Sequence, residues 1–203
     1  LLVDSAGRPV PLQLVPDGIW QSAEVALIDL EDGSGDCQNG TPAMNTKLIG
    51  LAPDRNYREL RFTLGVPADL NHADPLTATS PLTSSAMHWH WRSGYKFLRA
   101  GVKAGDDGFR LHLGSAGCHG VIGNLSGCDA GNRPAVKLSN LQGGQHRIVF
   151  DLAALLANVN LADAASEVCE MGPDDPCDAV VTTLGLDVNG DSVGPTNVFR
   201  LAR

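Results

Sequence analysis

Short runs of alternating polar and apolar residues, separated by Gly, Pro, Asn and Asp, recur along the sequence. Such runs are typical of β-strands, because successive side chains of a strand point to opposite faces of a sheet. One segment, 151–162, has instead the pattern of a short helix. Regularly spaced strands with few helices predict an all-β fold, an antiparallel β-sandwich with long loops. Strands are predicted over residues 25–31, 58–66, 87–102, 109–115, 146–152, 180–188 and 197–203.

Four of the five cysteines form two closely spaced pairs. Cys118 and Cys128 flank a Gly-rich segment, and Cys169 and Cys177 flank a second turn-rich segment. This pattern is common for structural disulfides of secreted or periplasmic proteins. Reduced thiols or a four-Cys zinc site are the alternative, but zinc sites usually have tighter CxxC-type spacing. We therefore predict two disulfides that staple the loops. Cys37 is then free, or it pairs with a cysteine upstream of this chain.

Length and charge limit the classes of function. A chain of 203 residues suits a single domain, and we predict one domain over residues 1–203. The sequence opens on LLVDSAGRP as if within a strand, so we expect an N-terminal segment to be missing. The net charge of -8 makes nucleic acid a poor partner, because a negatively charged protein surface and a phosphate backbone repel each other. No apolar run approaches the roughly 20 residues that span a bilayer.

The segment AMHWHWRSGYKF (86–97) holds two of the three tryptophans and two of the six histidines. Three roles are open for this segment: its side chains pack in the core, they form an interface patch, or they form a metal site beside an oxidisable aromatic ring. On an uninterrupted strand, His88 and His90 share one face. The other face then carries the apolar side chains and should turn inward, which leaves the histidines solvated or as a chelating His-x-His pair. The residues of that apolar face are Met87, Trp89, Trp91, Tyr95 and Phe97.

Two further histidines are candidate ligands. A hairpin turn near residues 105–106 would place His112 opposite Arg99, on the face of the tryptophans. His72 lies in the predicted loop 64–76, where it either stabilises the turn or is presented towards the hairpin. On spacing alone, each histidine is equally well a hydrogen-bonded structural residue. Imidazole together with a thioether favours copper over magnesium or calcium.

Other motifs are weak. The segment DVNGDS (187–192) begins like an EF-hand loop but has Ser192 where the loop requires Gly, and no Glu follows at its twelfth position. No nucleophile elbow, zinc-protease motif, P-loop or dinucleotide fingerprint is present. A hydrolase is therefore disfavoured.

Several phrases of the chain together resemble one family, the MbnP-like proteins, which are also described as the four-Cys partner in a metallo-mystery pair. The resemblance runs from near residue 10 to the C-terminus, and its longest motif is M-x-W-x-W-x-x-GYKF. The phrases that carry it are LGVPADLNHADP, PLTSSAMHWHWRSGYKFLRAG, FRLHLGSAGC, CDAGNRPAV and VFRL.

The resemblance implies an exported, mostly periplasmic copper-binding protein. Members of the family are encoded beside a MauG-like di-haem c-type cytochrome, which oxidises a tryptophan of the protein to kynurenine. The modified protein binds copper, as do the functionally similar proteins MopE and CorA. The protein is thus the substrate of an enzyme and not an enzyme itself. Family members also have an upstream cysteine, which would explain an unpaired Cys37.

Carried onto this chain, the motif makes Trp89 or Trp91 the modified residue. It makes His72, His112 and Met87 the metal ligands, with His88 and His90 as secondary candidates. The expected role is copper acquisition or homeostasis. The alternative is a structural or interaction module that docks a partner through the aromatic strand and binds no metal.

Overall fold

The structure is a computed structural model that describes residues 1–37, 40–104, 107–121, 124–141, 146–161, 168–171 and 177–202. Two short helices interrupt the strands, α1 (Leu152–Leu155) and α2 (Asp178–Thr183). In chain order the strands are β1 (Leu2–Asp4), β2 (Pro9–Val10), β3 (Gln13–Leu14), β4 (Gly50–Leu51), β5 (Tyr57–Thr63), β6 (His88–His90), β7 (Gly94–Ala104), β8 (Asp107–Gly114), β9 (Ala116–Val121), β10 (Asn124–Ala130), β11 (Ala135–Ser139), β12 (Arg147–Phe150), β13 (Val168–Cys169) and β14 (Phe199–Ala202).

The predicted antiparallel all-β, sandwich-like architecture is confirmed. One four-stranded sheet has the order β11-β5-β1-β2, and the other has the order β13-β8-β7-β6. Three two-stranded ladders, β3-β4, β9-β10 and β12-β14, complete the described sheets. Every pairing between these strands is antiparallel except β13 with β8, which is parallel. No helix among the described residues is long and apolar enough to cross a membrane.

Strict alternation on β8 separates the core from the outer face. Phe109, Leu111 and Leu113 are at most 1% exposed, whereas Arg110 and His112 point to the other side. Leu155 of α1 and Val180 of α2 pack against the same core. Full burial of each aliphatic side chain stabilises the fold by about 1.5–3 kcal/mol, so this face fixes the orientation of the whole strand. His112 is therefore held at the surface by its buried neighbours.

Several predicted elements are confirmed and two are wrong. The predictions at 58–66, 109–115, 146–152 and 197–203 correspond to β5, β8, β12 and β14. Residues 25–31 take part only in isolated bridges. Residues 180–188 were predicted as a strand, but the segment starts within α2. There, Val180 and Leu184 are four residues apart and both fully buried, which is the spacing of a helix face.

The predicted strand 87–102 reverses direction. A 3-10 turn at Ser85–Met87 leads into β6, and a tight turn at residues 91–93 then returns the chain along β7. Gly94 allows the return, since it has a φ of 73° and a Cβ there would overlap the Asn71 carbonyl oxygen. The reversal breaks the predicted division into faces, because His88 now lies opposite Tyr95. The predicted pairing of Arg99 with His112 is confirmed, although the turn 105–106 lies outside the described residues.

Both predicted disulfides are present, and the zinc or free-thiol alternative for these four cysteines is wrong. Cys118–Cys128 joins directly facing positions of β9 and β10, so the segment predicted as a loop is a hairpin. Cys169–Cys177 joins β13 to the start of α2. Cys37 is exposed and forms no disulfide with a described residue. The predicted helix at 151–162 is one turn, α1, which Asp151 caps by accepting from the Ala154 amide.

Candidate metal centre

His112 lies on the outer face of β8, and one of its ring nitrogens is hydrogen-bonded to Glu170. The parallel pairing of β13 sets Cys169 opposite Leu111, which brings Glu170 beside His112. The Nδ1 atom of His112 lies 2.9 Å from Oε1 of Glu170, and the two side chains are 16% and 51% exposed. Since a carboxylate only accepts, Nδ1 carries the proton and Nε2 carries a lone pair. A carboxylate behind an imidazole is the usual support of a metal-binding histidine.

Trp89 meets His112 across the sheet. Their ring centroids are 6.1 Å apart and the planes are inclined by 70°, an edge-to-face contact. The indole covers Gly114, where a Cβ would lie 2.5 Å from Cζ3 of Trp89. The ammonium of Lys96 lies 5.4 Å from the indole centroid. The predicted proximity of His112 to a tryptophan is confirmed, but the prediction that this face turns inward with Tyr95 is wrong, since Trp89 and His112 meet on the outer face.

His88 is half-buried and carries an unsatisfied nitrogen. Its ring packs edge-to-face on Tyr95, with centroids 5.0 Å apart. Nε2 of His88 is the one buried side-chain nitrogen or oxygen without a hydrogen-bond partner among the described residues. Such an orphan costs about 1–3 kcal/mol, and a bound cation is one way to satisfy it. Burial, followed by the charge of His90, lowers the pKa of His88, so the ring keeps a free lone pair.

The remaining predicted site residues of the segment 86–97 are His90, Trp91 and Met87, which lie in or next to its turn and its 3-10 turn. Nδ1 of His90 accepts from the Arg92 amide at 3.2 Å, and Nε2 lies 3.0 Å from the Ser93 hydroxyl. Both nitrogens of His90 are therefore engaged within the turn. The guanidinium of Arg92 lies 5.0 Å above the Trp91 ring. Met87 is half-buried at the end of the 3-10 turn.

The loop that carries His72 docks on the hairpin through a buried asparagine. Asn71 is 0% exposed; its Oδ1 accepts from the Tyr95 amide and its Nδ2 lies 3.2 Å from Nε2 of His72. Nδ1 of His72 lies 3.1 Å from the carbonyl oxygen of Trp91, so Nδ1 is the protonated nitrogen. Nε2 of His72 is therefore the acceptor for the Asn71 amide. Of the two interpretations that the sequence left open for His72, presentation towards the hairpin agrees with this contact.

The lone pair of His72 also faces the first disulfide. Nε2 of His72 lies 3.6 Å from Sγ of Cys128. The ligand atoms of His72, Cys118 and Cys128 lie within 4.8 Å of one another, the one such group of three His, Cys, Asp or Glu in the described part of the chain. Imidazole and sulfur donors could hold a metal ion. In this structure the two sulfurs are bonded to each other, and a disulfide has no thiolate to offer.

Burial keeps two of the histidines in their neutral form. Burial lowers the pKa of His112, opposed by the hydrogen bond to Glu170 and assisted by Lys96. Burial likewise lowers the pKa of His72, opposed by its carbonyl partner and assisted by Arg133. Neutral imidazole is the form that binds metal ions, so both rings are competent near pH 7.

Sequence reasoning missed Glu170 and Asn71. Glu170 is 58 residues from its partner His112, and no local pattern joins them. Its place directly after Cys169 was the only signal, because a disulfide restricts where the next residue can point. Asn71 belongs to the LNH motif, but its burial between loop and hairpin is a tertiary property.

Comparison with known proteins assigns the chain to a family. The family model described as MbnP matches residues 3–171. A solved structure, MbnP from Methylosinus trichosporium, is similar with a TM-score of 0.81 and 29% identity, over 98% of this chain and 82% of that chain. No curated protein matches the chain. The family match and the histidine–cysteine cluster together indicate a metal-related role. The chain belongs to the MbnP family.

Proposed function

We propose that this protein binds copper in the periplasm after a di-haem partner has converted Trp89 to kynurenine, and that it serves copper acquisition or homeostasis. The observation that carries the proposal is the contact between the indole of Trp89 and His112, whose Nδ1 is bound to Glu170 so that Nε2 is the nitrogen with the lone pair. Family membership favours a non-catalytic partner protein. The protein is thus the substrate of the oxidation.

The proposed modification suits the place of Trp89. The ring is half-buried, so its edge is within reach of an electron acceptor at the surface. In the conversion to kynurenine, the di-haem partner uses two peroxide molecules, which are reduced to water, to cleave the Cγ–Cδ1 bond of the indole and add two oxygens. Hydrolysis then releases one carbon as formate. The product has an aryl amine and a ketone where the indole had a single N–H donor. Both new groups are polar, and they form beside the imidazole of His112.

The residues present fit a copper ion. Copper accepts imidazole nitrogen and thioether sulfur readily. We assign His112 as the principal ligand, beside the modified Trp89, with Met87 as a candidate thioether donor from the same segment; His88 packs on Tyr95 on the opposite face and is not part of this set. Glu170 holds the His112 ring with Nε2 outward. His72 differs from this set, because its lone pair faces Asn71 and Cys128.

Mass spectrometry tests the modification. The protein is treated with a MauG-like di-haem cytochrome and peroxide and then digested with trypsin. Residues 62–92 form one peptide that holds Trp89 and Trp91, whereas Trp20 lies in another peptide and is the internal control. We expect the mass change of kynurenine in peptide 62–92, localised by fragmentation to Trp89. Trp89→Phe should prevent the change and Trp91→Phe should retain it; the opposite result would contradict the assignment.

Metal analysis tests the copper site. Modified protein is loaded with copper, desalted and analysed for bound metal. We expect stoichiometric copper in the wild type and its loss in His112→Ala. His90→Ala is the matched control and should retain copper, since both nitrogens of His90 serve the turn. If the modified wild type retains no copper, the alternative is favoured, an interaction module that docks through residues 86–97.

A further inference from the structure

We propose that reduction of the Cys118–Cys128 disulfide creates a second metal site, in which both thiolates and Nε2 of His72 bind a thiophilic divalent or cuprous ion. Disulfide and metal are mutually exclusive at this site, so it is gated by redox state. The proposal goes beyond the copper function above and uses none of the ligands assigned there.

The donor atoms are already collected in the oxidised protein. Nε2 of His72 is 3.6 Å from Sγ of Cys128, and the three donor atoms lie within 4.8 Å of one another. Two sulfurs and one imidazole are a common partial zinc set, which leaves one tetrahedral position open. The carbonyl of Trp91 holds the proton of His72 on Nδ1, which directs the lone pair of Nε2 towards the sulfurs. A metal at Nε2 replaces the hydrogen bond from the Asn71 amide.

The scaffold keeps this geometry when the disulfide opens. Backbone pairing of β9 with β10 extends from Ala116↔Ala130 to Val121↔Asn124, on both sides of the cysteines. The two thiols therefore stay on facing positions after reduction. His72 is held independently of the disulfide, through Asn71 and the carbonyl of Trp91.

Reduction is selective because the two disulfides differ in exposure. Thiol–disulfide exchange requires an attacking thiolate to reach a sulfur. Cys128 is partly exposed and Cys118 is 9% exposed, and neither cysteine belongs to the main core cluster. Cys169 and Cys177 are 0% and 5% exposed within that cluster. A dithiol reductant therefore reaches Cys118–Cys128 first.

The balance of the reaction is simple. A dithiol reductant transfers two electrons and two protons, so that the S–S bond opens to two thiols and the reductant becomes a disulfide. Binding of a divalent ion then releases the two thiol protons as two sulfur–metal bonds form. In the reverse direction a disulfide oxidant accepts two electrons from the two thiolates, the S–S bond forms again and the ion is released.

Cobalt binding tests the proposal in the whole 203-residue chain. All measurements use protein that carries Cys37→Ser, since this substitution removes the exposed free thiol. Protein is treated with a dithiol, freed of reductant without oxygen, and titrated with Co²⁺ alone. We expect one Co²⁺ with a thiolate-to-cobalt charge-transfer band in reduced protein and no such band in oxidised protein. Absence of the band in the reduced protein would overturn the proposal.

Variants and alkylation locate the site. Adding Cys118→Ser and Cys128→Ser should abolish the band, and His72→Ala should weaken Co²⁺ binding by at least about tenfold. Bound Zn²⁺ should protect Cys118 and Cys128 from iodoacetamide in reduced protein, read by mass spectrometry without any variant. Protection of Cys169 and Cys177 instead would overturn the proposal. His112→Ala should leave the band unchanged while abolishing copper binding, so each site can fail without the other.

Discussion

The two disulfides look alike in the sequence and differ in the structure. Each joins cysteines close in the chain, ten residues apart for Cys118–Cys128 and eight for Cys169–Cys177. Each also lies beside a histidine–carboxylate pair, His119–Asp129 in the first case and His112–Glu170 in the second. The first disulfide lies on a peripheral hairpin, whereas the second is part of the core. Position relative to the core, and not loop length, therefore separates an accessible disulfide from a structural one.

Removing each disulfide should give the largest difference. Cys169→Ala with Cys177→Ala should lower the free energy of unfolding by about 3–5 kcal/mol, because it loses the loop constraint and leaves cavities in the core. Cys118→Ala with Cys128→Ala should cost about 2–3 kcal/mol, mainly from the loop constraint, because Cys128 is partly exposed and neither cysteine belongs to the main core cluster. Urea unfolding of oxidised protein measures both values. Equal losses would show that burial does not distinguish the two disulfides.

Gly94→Ala tests what holds His72 beside the first disulfide. Alanine at a φ of 73° is strained, and its Cβ would overlap the Asn71 carbonyl. We expect a loss of more than about 2 kcal/mol in urea unfolding. Gly101→Ala is the matched control on the same strand; a Cβ there contacts nothing within 4 Å, and the change should stay within about 0.5 kcal/mol. If Gly94→Ala left the free energy of unfolding unchanged, the disulfide and not this loop contact would position His72.

Glu170→Gln tests the pair at the core disulfide. A glutamine cannot hold the His112 ring as a carboxylate does, so copper affinity of the modified protein should fall by about 10–100-fold. Stability should change little, because Glu170 is 51% exposed. The matched control is Asp129→Asn, which breaks the exposed pair with His119 beside the other disulfide and should leave copper affinity unchanged. Competition with a chromophoric copper chelator measures both affinities, and equal effects would contradict a positioning role for Glu170.

Of these changes, acidification should have the smallest effect on the free energy of unfolding. The folded-state pKa values of His72 and His112 are lowered from 6.5 by burial. The unfolded chain then binds more protons than the folded one, so metal-free protein loses stability as the pH falls through and below 6.5. Urea midpoints at about pH 7.5 and about pH 5.5 measure the loss, a window in which ordinary carboxylates stay ionised. The double variant His72→Asn, His112→Asn should lose less; an unchanged pH dependence would place the effect elsewhere.

Local patterns predicted much of the fold and part of the site. Alternation predicted β5 and β8, of which β8 has one fully buried face, and the spacing of cysteines predicted both disulfides. Alternation failed at 180–188, where two apolar residues four apart face the core from a helix. It also failed at residues 91–93, where a turn within an apparently continuous strand exchanged the faces of His88 and Trp89.

The sequence by itself determined the β architecture, the presence of two disulfides among four cysteines, the family resemblance and the register that sets Arg99 opposite His112. These features depend on local periodicity and on short separations along the chain, which can be recognised in the sequence alone. Only the tertiary structure decided that Glu170 supports His112 and that His72 faces Cys128. Both contacts join residues more than fifty positions apart. They arise from the parallel pairing of β13 and from the burial of Asn71, which depend on how the whole core packs.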